Sequence, residues 1–218
     1  MNQILLYSGG MDSYIAWHKL GKPPTLFVPL GHRYEEVEIQ AVKYTIPDTQ
    51  IAERVVLTQF EKPDAEIPAR NLLLVLEAAW RGADKIWLVV QKDEKQIPDR
   101  SHKFLLKASK MISYLFDREV VVDTPFWAVD KTDMVRWYVE NVGRDKVKEL
   151  LCTVGCYNIK RYEDSHCGDC GACFRRYVAF MNNDIHPGYE LSERIKSYYR
   201  ERLHNYSLHR QERMIRWI

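Results

Sequence analysis

Residues 8–13 read Ser8-Gly9-Gly10-Met11-Asp12-Ser13 and directly follow an apolar run at 3–7. That run has the length of a short buried strand, and Ser8-Gly9-Gly10 punctuates it. From Met11 to Leu20, apolar Ile15, Ala16 and Leu20 recur at helical spacing, so the segment predicts strand, tight turn, helix. Asp12 and Ser13 then fall in the first helical turn, where negative charge and capping oxygens are favoured. Glycine lets backbone N–H groups approach an anion with no Cβ in the way, and the helix N-terminus adds donors and partial positive charge. Ser8 and Ser13 add hydroxyl donors. The string lacks the lysine of the G-x-x-x-x-G-K-[ST] loop, and it is not G-x-G-x-x-G. A plain turn is the competing reading; its placement favours a phosphate cradle.

Outward from this turn, strands and helices alternate. Strands are expected at 25–28, 54–57, 85–90 and 119–122, and helices at 35–44, 71–80, 104–116, 131–141 and 144–151. Such alternation argues for an α/β fold, with a parallel sheet covered by helices on both faces. The expected organisation is an α/β domain over 1–151, with a cysteine-rich loop and helical region over 152–218 packed on it.

The chain has 218 residues, 46% of them hydrophobic and 28% charged, with a formal net charge of +2. Those values suit one globular domain with an ordinary core and argue against a molecule-wide electrostatic surface for nucleic acid. No window approaches the roughly 18 apolar residues needed to span a bilayer, and the N-terminus lacks the features of a secretory signal. A soluble, cytoplasmic protein is therefore expected.

All five cysteines fall between Cys152 and Cys173. Crowding of this kind in a cytosolic-type chain points to metal rather than to a disulfide framework. Cys156, Cys167, Cys170 and Cys173 form C-x10-C-x2-C-x2-C, in which two-residue gaps let thiolates converge on one ion. Gly168 and Gly171 permit the tight turns. Four thiolates leave no open coordination position, so a structural Zn²⁺ is expected, with an iron–sulfur cluster as the alternative. Cys152 and His166 are competing ligands ranked below Cys156.

Residues 192–218 carry six arginines and one lysine among large apolar residues. An amphipathic helix packed on the domain or on a second subunit is the expectation. Nucleic-acid or membrane-surface binding is disfavoured by the interspersed glutamates.

Taken with its setting, Ser8–Ser13 resembles the SGG-x-DS signature of the PP-loop ATP pyrophosphatases, a Rossmann-like fold. Further matches point to one branch, the 7-cyano-7-deazaguanine synthase (QueC) family, over roughly residues 3–187. They are Ile67-Pro68-Ala69-Arg70-Asn71 before a leucine-rich helix, Pro98-Asp99-Arg100 after a strand, Asp130-Lys131-Thr132, Gly155-Cys156-Tyr157, and Cys167-x-x-Cys170-x-x-Cys173 followed by Arg176. The resemblance implies an ATP-dependent enzyme, commonly dimeric. It would convert 7-carboxy-7-deazaguanine and ammonia to the nitrile through two adenylations. It also implies that Ser8, Gly9, Gly10, Met11, Asp12 and Ser13 hold the leaving pyrophosphate, with Asp12 helping to place Mg²⁺. Arg70 would meet phosphate or developing negative charge, Lys131 would stabilise the adenylation transition state or bind the carboxylate, and Asp99 with Arg100 would contact the heterocycle. The competing readings are a surface ion pair for Arg70, a solvated lysine for Lys131 and a turn aspartate for Asp99.

Two stretches depart from the family pattern. After the second strand the family usually carries Asp-Tyr-Gly-Gln, whereas this chain has Pro29-Leu30-Gly31-His32, followed by Arg33. The loop 91–96 is more charged than a deazaguanine pocket would suggest. Gly31, His32 and Arg33 are accordingly candidate substrate contacts. A related adenylating enzyme that stops at the amide, or joins the acid to another acceptor, is the alternative. A zinc-stabilised nucleic-acid-binding module is a third. A thiolating relative would need a cysteine near the active site, and none precedes Cys152.

Overall fold

The computed structural model describes residues 1–62, 66–91 and 97–218. Five strands form one all-parallel sheet in the order β3-β2-β1-β4-β5: β1 (Gln3–Leu6), β2 (Thr25–Phe27), β3 (Gln50–Ile51), β4 (Lys85–Trp87) and β5 (Val121–Asp123). Parallel register sets Leu5 beside Thr25 on one side of β1 and beside Trp87 on the other.

Alternation along the strands sorts the apolar residues into two layers. Ile4, Leu6, Leu26 and Ile86 face α3 (Arg70–Trp80) and α4 (His102–Phe116), packing on Val75, Ala78, Leu105 and Ile112. Leu5, Tyr7 and Phe27 face the other way, towards α1 (Met11–Lys19) and α5 (Lys131–Asn141), where Ile15, Met134, Val135 and Tyr138 are fully buried. Burial on both faces explains why the strands read as nearly continuous apolar runs. The sequence order reverses on either side of β1, so a crevice opens beyond the carboxyl ends of β1 and β4. Doubly wound sheets bind ligands there.

The third apolar layer belongs to the cysteine region. Helix α2 (Glu35–Thr45) supplies Val37 and Ala41, and α7 (Gly171–Met181) supplies Phe174, Tyr177 and Val178. Around them pack Ile195 and Tyr199 of α8 (Glu193–Glu201) and Met214 of α9 (Leu208–Met214). Helix α7 also buries Ala179 and Phe180 against the layer of α1 and α5, so the sheet and the cysteine region share packing. No helix of the described residues is long and apolar enough to cross a membrane.

Several boundaries differ from those expected. The third strand pairs at Gln50–Ile51 rather than at 54–57, because only there does regular ladder pairing with β2 occur. Residues 54–57 still run alongside, with Val55 N–H donating to Pro29 O at 3.0 Å and Leu57 N–H to Leu30 O at 2.9 Å. Strand β5 begins at Val121 instead of 119, since the chain first turns through Asp117, a left-handed residue (φ 48°) that caps α4. Ladder pairing in β4 stops at Trp87, although Leu88 N–H still donates to Asp123 O at 2.9 Å. The segment 144–151 splits into a 3₁₀ turn and α6 (Val147–Leu151). The C-terminal segment is likewise broken, into α8, α9 and two 3₁₀ turns, with Tyr206 extended between them.

Candidate active site

The Ser8–Ser13 turn sits at that crevice. Gly9 takes φ +71°, and a Cβ there would lie 3.0 Å from both Ala41 Cβ and Glu38 O. Only glycine fits without displacement. Gly10 caps α1 with no side chain on the first-turn amides, which leaves those donors for a ligand. Ser13 Oγ donates to Gly10 O at 3.0 Å and lies 3.3 Å from Ser8 Oγ, holding both hydroxyls over the turn. Val154 N–H donates to Gly9 O at 3.0 Å, so the turn is pinned between α2 and the start of the cysteine region.

A cavity of about 270 Å³ opens above the turn. It is lined by Ser8, Gly10, Met11, Asp12 and Ser13 and, from four further elements, by Arg70, Arg100, Lys131, Arg175 and Arg176. Clustered cations beside a glycine-rich helix N-terminus suit a polyanionic ligand. The Lys131 ammonium forms an ion pair with Asp12 Oδ2, across 119 residues of sequence. Gln91 Nε2 lies 3.4 Å from the same carboxylate oxygen. Asp12 Oδ1 is buried with no hydrogen-bond partner among the described residues, so this carboxylate fits a divalent cation or a ligand donor. Burial foremost, then Arg175, Arg210 and Arg176, lowers the pKa of Lys131 well below the ordinary lysine range.

The predicted contacts divide. Arg70, Arg100 and His32 line the cavity with the Ser8–Ser13 turn and Lys131. His32 is buried, its Nε2 3.0 Å from Glu38 Oε2 and its ring edge-on to Tyr34 at 4.2 Å. Gly31 shapes the backbone instead: at φ +78° its carbonyl accepts from Thr58 Oγ1 at 2.8 Å. Arg33 turns to Glu61, 3.3 Å away. Asp99 is held at the start of α3, where its carboxylate accepts from Asn71 N–H at 3.0 Å and its carbonyl from Asn71 Nδ2 at 2.9 Å. Of the charged loop at 91–96, Gln91 lines up with Asp12 as described above, while 92–96 lie outside the described residues.

Residues given no site role from sequence complete the walls: Asn71 and Tyr157, which lie within matched motifs, and Tyr34, Glu38 and Arg175. Arg175 is held by Tyr157 OH at 3.0 Å. Its signal in the sequence is its position two residues past Cys173, in the helix that the cysteine loop feeds. Buried Arg176 anchors the same helix, with Nη1 donating to Thr153 Oγ1 at 2.8 Å and Nη2 to the carbonyls of Leu150 and Leu151.

The sulfurs of Cys156, Cys167, Cys170 and Cys173 lie within 4.8 Å of one another, and the group could hold a metal ion. Cys167 Sγ and Cys173 Sγ are 3.8 Å apart, close to the sulfur–sulfur edge of a tetrahedron with metal–sulfur bonds of about 2.3 Å. Backbone N–H groups of Asn158, Cys167, Asp169 and Cys173 point at these sulfurs from 3.3–3.5 Å, as thiolates require. Gly168 is obligatory, because a Cβ there would fall 1.9 Å from Glu190 O. The two competing ligands stand apart from the group: Cys152 Sγ donates to Lys148 O at 3.2 Å, and His166 stacks on Tyr189. Cys156 also lines the large cavity, so the two sites share a wall.

Comparison with known proteins places the chain among relatives of one kind. A 7-cyano-7-deazaguanine synthase from Methanocaldococcus jannaschii is 26% identical over 168 residues, covering 70% of this chain and 72% of that protein. One from Marinobacter nauticus is 25% identical over 214 residues, covering 84% and 93%. One from Methanococcus maripaludis is 27% identical, covering 59% of this chain and 60% of the relative. Residues 45–184 match the family described as queuosine biosynthesis protein QueC, and the chain belongs to that family.

Proposed function

We propose that this protein converts 7-carboxy-7-deazaguanine and ammonia to 7-cyano-7-deazaguanine, consuming two ATP. The observation that carries the reading is the meeting of Asp12 and Lys131 over the phosphate turn, inside a cavity walled by four arginines. A carboxylate is inert to ammonia because neither oxygen is a good leaving group. Attack of a carboxylate oxygen on the α-phosphorus of ATP forms the acyl adenylate and releases pyrophosphate. Ammonia then adds to the carbonyl carbon, AMP leaves with the substrate oxygen, and one proton is lost to give the amide. Attack of the amide oxygen on the α-phosphorus of a second ATP releases pyrophosphate, and departure of AMP with that oxygen and of both protons from nitrogen gives the nitrile.

In this account the first-turn amides of α1, with Ser8 and Ser13, receive the pyrophosphate, where preorganised donors are most effective. Lys131 and Arg70 balance the charge that develops at phosphorus. Mg²⁺, bound with ATP and placed by Asp12, would supply further neutralisation of the phosphates. His32, Tyr34, Asn71 and Tyr157 surround the space left for the heterocycle. Walls contributed by the cysteine region exclude the water that would hydrolyse the acyl adenylate. The four-cysteine centre fits a structural Zn²⁺; an iron–sulfur cluster interposes several atoms between its thiolates and needs them farther apart.

Incubation with ATP, Mg²⁺, ammonium and 7-carboxy-7-deazaguanine, followed by mass spectrometry, tests the proposal. Nitrile is the expected product. Amide alone would identify the truncated reaction that His32, in place of the family's usual glutamine, keeps in view. Absence of ATP consumption would refute the ligase reading.

A further inference from the structure

The C-terminal segment, beyond the family match at 45–184, reaches back to the active site. Asp130 caps α5, its Oδ1 accepting from Thr132 N–H at 2.9 Å and Asp133 N–H at 3.1 Å. Arg213 of α9 bonds to that same Asp130 Oδ1 through Nη1 and to Asp133 Oδ1 through Nη2 at 2.7 Å. The fork is largely enclosed, with side-chain accessibilities of 14% for Arg213 and 8% for Asp130. Between the two carboxylates in sequence stands Lys131, whose ammonium reaches forward to Asp12. Arg213 is itself fixed: its carbonyl accepts from Asn182 Nδ2 at 3.0 Å, and the adjacent Met214 is buried. Together with Arg210 and Arg175 it walls a small cleft on the far side of Lys131.

We propose that Arg213 is a positioning residue of the active site, clamping Asp130 and Asp133 at the head of α5 so that Lys131 stays on Asp12. Its planar two-pronged head grips two carboxylates at once, which lysine cannot reproduce. Arg213 is not among the residues that line the large cavity. Its effect passes through the direction in which α5 presents its first residue. The catalytic consequence rests on the adenylation reading; the clamp itself does not.

Two measurements decide the proposal. Competitive acylation of lysines, read by mass spectrometry on the whole protein, reports how Lys131 is held without requiring turnover. Arg213→Met should raise Lys131 labelling severalfold while other lysines stay constant, and Arg213→Lys should lie between. Equal Lys131 labelling in all three proteins would overturn the clamp. In turnover, Arg213→Met should lower kcat by roughly 10- to 100-fold with KM for ATP changed less than about threefold, as a misplaced catalytic group does. In a Lys131→Met background the same substitution should cost less than about twofold more. Independent, multiplying losses would overturn the positioning role. If Arg213→Met fails to fold, Arg213→Lys carries both comparisons. Inactivity of the unsubstituted protein would count against the ligase reading alone, since the labelling result stands apart from it.

Discussion

Val154 donates its backbone N–H to the Gly9 carbonyl at 3.0 Å, fastening the Ser8–Ser13 turn to the strip of chain that leads two residues later into Cys156, the first of the four clustered cysteines. Through that bond the four-cysteine cluster is joined to the proposed nucleotide site, although an ion held there would stand outside the chemistry. Removal of the metal should therefore weaken ATP binding as well as stability. Cys170→Ser is expected to lose metal and at least about tenfold in ATP affinity, by elemental analysis and calorimetry, because a vacated thiolate site rarely keeps its fold. Asp12→Asn should retain full metal content while losing turnover. Metal-free protein with undiminished ATP affinity would show the two sites to be independent.

Gly9 tests the proposed phosphate turn in a different way. Alanine there meets left-handed strain and a 3.0 Å approach to Glu38 O, costing about 1–3 kcal/mol. For a chain of this size that is a fall in Tm of roughly 3–10 °C, together with weakened ATP binding. Gly21→Ala is the control, since Gly21 has a similar φ of +75° but a Cβ there would meet no atom within 4 Å. It should show the strain without the loss of nucleotide.

His18 makes stability depend on pH. Burial first, then the charge of Lys22, pushes its pKa down from 6.5 to about 4, against a smaller opposing effect of Glu149. The ring packs edge-on against Tyr14, Trp17 and Tyr138. Between those two values the unfolded chain binds a proton that the folded one refuses, so stability is complete above about 6.5 and falls as pH drops towards 4. With the ring only partly buried, screening reduces the effect to about 1–2 kcal/mol. Denaturant titrations of His18→Gln should show a shallower acid slope by that amount; an unchanged slope would reject the assignment.

Much of the fold and site is legible in residue order because the signals are local. A strand followed by Ser8-Gly9-Gly10 and an apolar helix declares its own geometry, and the two-residue gaps among Cys167, Cys170 and Cys173 declare theirs. What escapes is set by distant partners. Asp99 reads equally well as a ligand contact or a turn residue until Asn71 is seen to hold both its carboxylate and its carbonyl. The third strand is misplaced from sequence because Val55-Val56-Leu57 is apolar and carries two β-branched residues, while pairing follows the edge geometry beside β2. Arg213 reads as one of six arginines on an amphipathic helix. Only the fold brings it to Asp130, 83 residues away.

The central claim is adenylation of the substrate's own oxygens, and isotope transfer tests it most directly. With both carboxylate oxygens of 7-carboxy-7-deazaguanine labelled with ¹⁸O, each of the two AMP molecules released per turnover should carry one ¹⁸O and the pyrophosphate none. The nitrile retains neither oxygen. Unlabelled AMP, or label found in phosphate or pyrophosphate, would contradict the account.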